Sequence, residues 1–496
     1  MSERLETDPA LPTDGRPELI DCVVLGGGIA GLSAAYAAHR RGWSVRVLET
    51  RREVGGKVHS ERKDGYLLEW GPNSFLGSHQ TIWQLISELG LQNRVISAQL
   101  PADRFVYRNR RARRLPTGPL SLLTSDFMSF SGKMRMLAEP FIAGGAKRDD
   151  SVLDFAKRRL GEEAAQYLVT PFVSGVYAGD AAQLGAADAF PRLWNWEHAA
   201  GSILLGALFD RRKPAVPQLP GPAQSPEIAK KHGMFNFDDG FAVLPRALAA
   251  ALPPESVLLG ELALQLAAQA DGTTLIRHGA RKDASETQVI HARRVVLALP
   301  PRQSAQLLKA FPIVADALAQ IELCRVAVVH LGGPDPKRLA PRGFGVLIPP
   351  GEGLRTLGIL LPSSIFAHRA PPGHWLCSGF IGGARDPDVV DLPDETLISL
   401  VLRAHQQAFG HSMSGQSLQC DFHNVVRWRE AIPQYSVGHR ALMQQALQQL
   451  EKALPNVTLA GNYLDGISVN DAAASGLHAV EILARAQSSS VPPELG

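Results

Sequence analysis

Residues 21–56 read DCVVLGGGIAGLSAAYAAHRRGWSVRVLETRREVGG. The apolar run Cys22 to Leu25 fits a buried strand that stops at a glycine turn. Gly26, Gly28 and Gly31, with Gly27, Ile29 and Ala30 between them, satisfy G-x-G-x-x-G. An alanine-rich helix is predicted from there to about Arg41, and a second strand from Ser44 to Leu48 ends on Glu49. Gly26 permits the tight turn, Gly28 lets backbone approach a pyrophosphate, and Gly31 lets the helix pack closely on the strand. The helix N-terminus offers N–H groups and the positive end of its dipole to phosphates. Glu49 stands where a carboxylate accepts hydrogen bonds from a ribose 2′-OH and repels a 2′-phosphate. Strand, glycines, helix, strand and acid in this order predict a dinucleotide-binding unit, with NAD and FAD equally open at this point.

At 496 residues the chain exceeds one hydrophobic core, so two or more domains are expected. A composition 45% hydrophobic and 20% charged suits a globular protein, and a net charge of +3 gives no reason to expect a nucleic-acid partner. Cys22, Cys324, Cys377 and Cys420 lie far apart without C-x-x-C spacing. That pattern predicts neither a metal site nor a disulfide framework, and a reducing, cytoplasmic setting is the simpler reading. The apolar stretch Ala199 to Phe209 is too short to span a bilayer. Residues 1–19 lack the apolar centre of a secretory signal and read as a loose tail. Membrane contact, if any, is expected to be peripheral.

Further along, a glycine pair at Gly55-Gly56, before Lys57, can pass backbone close to a second phosphate or a ring. Gly71-Pro72-Asn73-Ser74 follows the strand-like YLLEW and, taken alone, reads as an ordinary turn. Residues 80–99 carry helical apolar spacing, and Arg104 to Tyr107 reads as a strand. The run Arg108, Arg110, Arg111, Arg113 and Arg114 fits a solvated face first and an anionic ligand or membrane second. Leu120 to Phe141 is read as core helices in preference to a lipid-facing surface. Residues 151–210 are predicted helical with breaks at Pro171, Gly175 and Pro191, and the proline-rich Lys213 to Pro226 as a linker. Short strands recur between Ile321 and Gly383. Helices are predicted at 394–409 and 440–453, and a terminal helix from Asn470 to Ala484.

With VVLGGGIAGLSAAY, VGGKVHSERKDGYLLEWGPNSF, GVYAGD (175–180), FGVLIP (344–349), IPQYSVGH (432–439) and GNYLDGISVNDAAASG (461–476) in this order, the chain resembles the flavin-dependent protoporphyrinogen oxidases of the amine-oxidase-like group. The resemblance runs from about Asp21 to Ala484. It implies an α/β (α+β) fold with a discontinuous Rossmann-like FAD domain at 20–80, 230–302 and 455–485. It further implies a helical membrane-associating part at 95–210, a linker at 211–229, a sheet-based substrate domain at 303–454 and a tail at 486–496. FAD contacts are implied at Gly26, Gly27, Gly28, Ile29, Ala30, Gly31, Glu49, Gly56, Lys57, Gly71, Pro72, Asn73, Ser74, Val257, Trp428, Ile467, Ser468 and Val469. Some relatives have Arg where this chain has Asn73, and Val257 is also open to a packing role.

The implied reaction removes six electrons and six protons from a porphyrinogen macrocycle, with O₂ or a quinone as acceptor. Implied substrate contacts are Arg104, which would pair with a propionate, and Gly175, Phe344, Leu347, Leu360 and Phe380. The resemblance also implies a homodimer. His59, His439 and His478 are given no catalytic role, because a lone histidine is more often structural. Competing readings are oxidation of coproporphyrinogen III, an amine oxidase with an aromatic cage, and a nucleotide-binding module without catalysis.

Overall fold

A computed structural model describes residues 19–99, 102–116, 118–145, 147–210, 233–281, 283–335, 339–410 and 418–488. Most of the expected 1–19 tail, all of the 211–229 linker and most of the 486–496 tail lie outside these residues. Leu19–Ile20, at the start, is a short strand beside His291–Ala292.

The opening unit seeds a five-stranded sheet that is parallel throughout. From edge to edge it runs Val257–Leu259, Val45–Glu49, Cys22–Leu25, Val295–Leu297, Val457–Leu459. The chain adds strands outward on one side of Cys22–Leu25, then returns to add the others on the opposite side. The reversal falls between Cys22–Leu25 and Val295–Leu297, which opens a crevice beyond the carboxyl ends of these strands. Both faces are covered, so the strands read as continuous apolar runs. Helix Ile29–Arg40 and the terminal helix Val469–Ser488 lie on one face. They cross so closely at Gly476 that a Cβ there would overlap the Ala30 carbonyl. Helices Pro312–Ala319 and His439–Ala453 contribute to the core on the other face, next to an antiparallel sheet built from Glu261–Ala268, Thr274–Ala280 and Asp283–Ala292.

A second, seven-stranded sheet has the order Phe422–Trp428, Val326–Pro334, His374–Gly382, Thr356–Leu360, Gly345–Leu347, Arg104–Arg108, Arg111–Arg114. Two of its strands lie within the 95–210 part implied to be helical, the first of them at the strand read from Arg104 to Tyr107, and Val95–Ser97 is also a strand, paired with Met234–Phe237. Helix Gln80–Glu88 is correspondingly shorter than the spacing of 80–99 predicts. The packing thus divides the chain differently from the expected 95–210 and 303–454. Arg104–Arg114 joins the seven-stranded sheet, and residues 312–319 and 439–453 join the core of the parallel one.

Helices between Pro119 and Asp210 form the remaining part. Gly175 does not break its helix. Thr170–Tyr177 runs through it and ends at Ala178, whose φ is +47°. Pro171 sits in that helix's first turn, where its missing N–H is harmless. The expected core helices of Leu120 to Phe141 bury Leu122, Phe127 and Met128 but leave Phe130 and Phe141 at 76% and 89% exposure. Helix Ile203–Asp210, packed against the Glu139–Phe141 turn, adds exposed Leu204, Leu208 and Phe209. Beneath this surface lies a buried ionic group. Glu139 pairs with Arg159 and accepts hydrogen bonds from Ser202 Oγ (2.6 Å) and the Ile203 N–H (2.8 Å), so it caps the apolar helix from outside. Among the described residues no helix is long and apolar enough to cross a membrane.

Candidate active site

The glycine loop leaves the crevice at Gly26, whose φ of +109° and approach to the Ala298 carbonyl leave no room for a side chain. A Cβ on Gly31 would overlap the Gly26 carbonyl, so that glycine sets the helix against the strand. Gly28 differs from both, since a Cβ there would meet nothing within 4 Å. Open space therefore faces the start of helix Ile29–Arg40, and no side chain caps that terminus. Buried Glu49 accepts from the Gly27 N–H through Oε2 (2.7 Å) and from the Arg51 N–H through Oε1 (2.8 Å). A carboxylate has about four acceptor positions, so Glu49 holds the loop and still has capacity for a ribose hydroxyl.

Gly56 folds back with its α-carbon facing that of Gly28. Arg51 Nη1 donates to the Gly56 carbonyl (3.1 Å), and the same guanidinium lies 5.0 Å from the Trp428 ring centroid. The Trp428 indole N–H donates to the Trp70 carbonyl (2.7 Å). Lys57 is half-buried, and burial pulls its ammonium down to about 8, partly offset by Cys324 and Glu430. The turn Gly71, Pro72, Asn73 and Ser74 is half-buried. Asn236 Nδ2 holds it by donating to both the Asn73 carbonyl (2.7 Å) and Glu69 Oε1 (2.9 Å). Ser468 caps the terminal helix through the Asp471 N–H (3.1 Å), while Val469 packs in the same core as Ile29 and Ala30. Ile467 lies with Val173 and Tyr177. Val257 is on the outer edge strand beside Val47 and packs against the core.

The second set gathers on the seven-stranded sheet. Cross-strand partners share a face. Leu347 lies opposite Gly358, which lies opposite Phe380, and Leu360 lies opposite Gly345, which lies beside Arg104. Leu347, Leu360, Phe380 and Arg104 therefore project from one face. The other face, with Val346, Ile359 and Ile381, is fully buried against helix Asp394–Phe409. Leu347, Leu360 and Phe380 are only half-buried, as expected of a cavity wall. Gly175 faces this wall, and a Cβ on it would overlap Leu347 Cδ2. Phe380 and Trp428 belong to one apolar cluster, which joins the wall to the residues around Gly56. Phe344 lies instead at the Arg104 end, its ring 5.5 Å from the guanidinium and packed with Met234 and Phe366.

The arginine run is less free than its spacing suggests. Arg108 pairs with Glu163 (2.8 Å), Arg111 and Arg113 with Asp126, and Arg114 with Asp103 (2.6 Å). Arg104 has no carboxylate partner among the described residues.

A model of the flavin containing amine oxidoreductase family matches residues 29–484. The chain belongs to this family. Mitochondrial protoporphyrinogen oxidase of Nicotiana tabacum is 30% identical over 478 residues, covering 93% of this chain and 94% of that protein. Coproporphyrinogen III oxidase of Bacillus subtilis is 28% identical over 487 residues, covering 94% and 98%. A crystal structure from Exiguobacterium, assigned as a protoporphyrinogen oxidase, superposes with a TM-score of 0.77 at 22% identity over 95% of this chain and 99% of that one, a likeness of fold.

This family member is an oxidoreductase with FAD as its cofactor. Its residues fit that group. The open space at Gly28, the uncapped helix and Glu49 suit a dinucleotide. Buried Asn470, in the first turn of the terminal helix, adds an acceptor, Oδ1, that lacks a partner among the described residues. FAD supplies two-electron oxidation when bound, and the protein orients the reactants and excludes water. Asn470 and Arg51 were not among the sequence candidates. The first gives no signal beyond an Asn in an N-terminal helical turn, and the second hides in the common pair Arg51-Arg52.

Proposed function

We propose that the enzyme oxidises protoporphyrinogen IX to protoporphyrin IX in haem biosynthesis. Six electrons and six protons leave the macrocycle in three two-electron rounds, and three O₂ become three H₂O₂. The five-stranded unit would hold FAD, with contacts from the glycine loop, Glu49, the turns at Gly56–Lys57 and Gly71–Ser74, Trp428 and the Ile467–Val469 segment. The seven-stranded sheet would hold the substrate.

One observation carries this reading: an apolar, half-buried wall of Leu347, Leu360 and Phe380 with Arg104 at its end. A flat macrocycle with carboxylates on one edge needs such a wall and such a cation, and a guanidinium binds a carboxylate through two parallel hydrogen bonds. Four of the five neighbouring arginines, all but Arg110, are engaged by Glu163, Asp126 and Asp103, which supports a substrate with two carboxylates over coproporphyrinogen with four. An amine substrate would call for paired aromatic walls, and these positions supply two leucines and one phenylalanine.

The exposed apolar surface of Phe130, Phe141, Leu204 and Leu208 supports peripheral contact with a membrane, where a greasy macrocycle dissolves. The test is anaerobic addition of protoporphyrinogen IX to the flavin-loaded protein, followed by paired turnover assays on both porphyrinogens. Bleaching of the flavin band and faster turnover of the protoporphyrinogen are expected. Equal or better turnover of coproporphyrinogen III would overturn the choice of substrate.

A further inference from the structure

The motif Ile432-Pro433-Gln434-Tyr435-Ser436-Val437-Gly438-His439 runs between the two sets of residues, with Ile432 in the cluster of Phe380 and Trp428 and Tyr435 in that of Ile467, and it is bound on both sides. Toward the cavity it holds the helix that carries Gly175. Gln434 Nε2 donates to the Tyr177 carbonyl (3.0 Å), and the Gly185 N–H donates to the Tyr435 carbonyl (2.9 Å). Asp188 adds a clamp, accepting from the N–H groups of Gly438 (2.9 Å) and Arg440 (2.7 Å).

Toward the cofactor, the motif holds two successive carbonyls of the Gly461–Val469 segment. The Tyr435 hydroxyl donates to the Asn462 carbonyl (2.8 Å), and His439 Nε2 lies 2.7 Å from the Tyr463 carbonyl. A carbonyl can only accept, so this contact fixes the proton of His439 on Nε2. The rings of Tyr435 and His439 stack with centroids 4.2 Å apart, and Tyr177 meets Tyr435 edge-on at 6.3 Å. Tyr435 is 1% exposed and His439 3%. Two stacked rings, each tied by a buried hydrogen bond, form a stiff spacer.

We propose that residues 432–439 are a strap that sets the cavity wall at Gly175 and Leu347 against the flavin-bearing segment, with Tyr435 as its principal positioning residue. This rests on the assignment of that wall to substrate and of that segment to FAD. Hydride transfer is steeply sensitive to the separation of donor and acceptor, and a misplacement of about 1 Å lowers a rate by roughly 10². Tyr435 reaches neither reactant and acts by fixing the two elements that do.

The experiment compares wild-type, Tyr435→Phe, His439→Gln and His439→Leu proteins, all loaded with FAD. Tyr435→Phe preserves the ring and removes one hydroxyl. It is expected to retain stoichiometric flavin while anaerobic flavin reduction by protoporphyrinogen IX slows about tenfold and KM changes little. His439→Gln keeps a donor for the Tyr463 carbonyl and should retain more of the rate than His439→Leu. A lowered melting temperature with an unchanged reduction rate would make the strap merely structural and overturn the proposal. Wild-type protein that protoporphyrinogen fails to reduce would count against the substrate assignment alone. The strap is then read from the visible circular dichroism of the bound flavin, where a changed band in Tyr435→Phe supports it and an identical spectrum overturns it.

Discussion

Gly175 faces Leu347 so closely that a Cβ at position 175 would displace Leu347 Cδ2. Leu347 must then turn, which changes its place between the wall of Leu360 and Phe380 and the cluster of Val106 and Phe127. Gly175→Ala should therefore reshape the cavity without harming the helix, since alanine is the better helix former. Overpacking of this kind costs about 1–3 kcal/mol, and where the bound state bears it KM for the porphyrinogen should rise by up to about 5- to 150-fold with flavin content unchanged. Steady-state appearance of porphyrin fluorescence measures this. An unchanged KM would place Leu347 outside the substrate cavity.

Glu49 links the loop to the second strand through both carboxylate oxygens. Glu49→Ala removes the ribose acceptor and leaves the Gly27 N–H without its partner. Loss of a buried charge-assisted hydrogen bond costs about 1.5–3 kcal/mol, which weakens FAD binding roughly 10- to 150-fold. Fluorescence titration of FAD into the apoprotein gives the affinity directly. Tight binding by Glu49→Ala would show that the carboxylate only braces the loop.

These two sites differ in how much the sequence revealed. The glycine loop was legible because its constraints are local: a turn, a helix start and an acid lie within about 25 residues, by direct count from Gly26 to Glu49. The strands that flank it, Val257–Leu259, Val295–Leu297 and Val457–Leu459, arrive from more than 200 residues away, and no local pattern orders them. The arginine run was visible, but its partners Asp103, Asp126 and Glu163 come together only through folding. Burial was the hardest property to read. Phe127 and Phe130 look alike in an apolar stretch, yet one is fully buried and the other faces outward. Arg104 to Tyr107 was recognised as strand, but Arg111–Arg114 was not, and neither gave a sign of which sheet it joins.

Two buried histidines should set the acid limit of stability. His330 contacts Ser378 Oγ (3.0 Å), and burial pushes its pKa down to about 3. His405 stacks on Trp375, and burial pushes it down to about 4. Both are neutral in the folded protein across a range where the unfolded chain, with histidines near 6.5, takes up protons. Stability is thus fully present above pH 6.5 and falls as pH drops toward 4, by roughly 1.4 kcal/mol per histidine per pH unit. Urea midpoints measured at pH 7, 6, 5 and 4.5 should show the decline. His330→Asn, which can still bond Ser378, should reduce the slope by about one proton, and an unaltered slope would remove His330 from this role.

The helix that carries exposed Leu204 and Leu208 is capped by the buried Glu139–Arg159 pair through Ser202 and the N–H groups of Ile203 and Leu204. Burial alone pushes the Glu139 carboxyl up, but Ser202, Arg159 and the N–H groups of Ile203 and Leu204 together hold it below the usual carboxylate range. The helix therefore keeps its cap, and its leucines stay outward, through the mildly acidic range. Transfer of one such side chain from water to an apolar phase is worth about 1.5–3 kcal/mol when complete. Phe130→Ser, Phe141→Ser and Leu208→Ser combined should therefore reduce partitioning onto lipid vesicles by more than about tenfold. Sedimentation with vesicles should detect the loss, while turnover of detergent-dispersed porphyrinogen stays near wild type. If attraction instead came from the arginine run, salt would release the wild-type protein and the triple variant would bind as before.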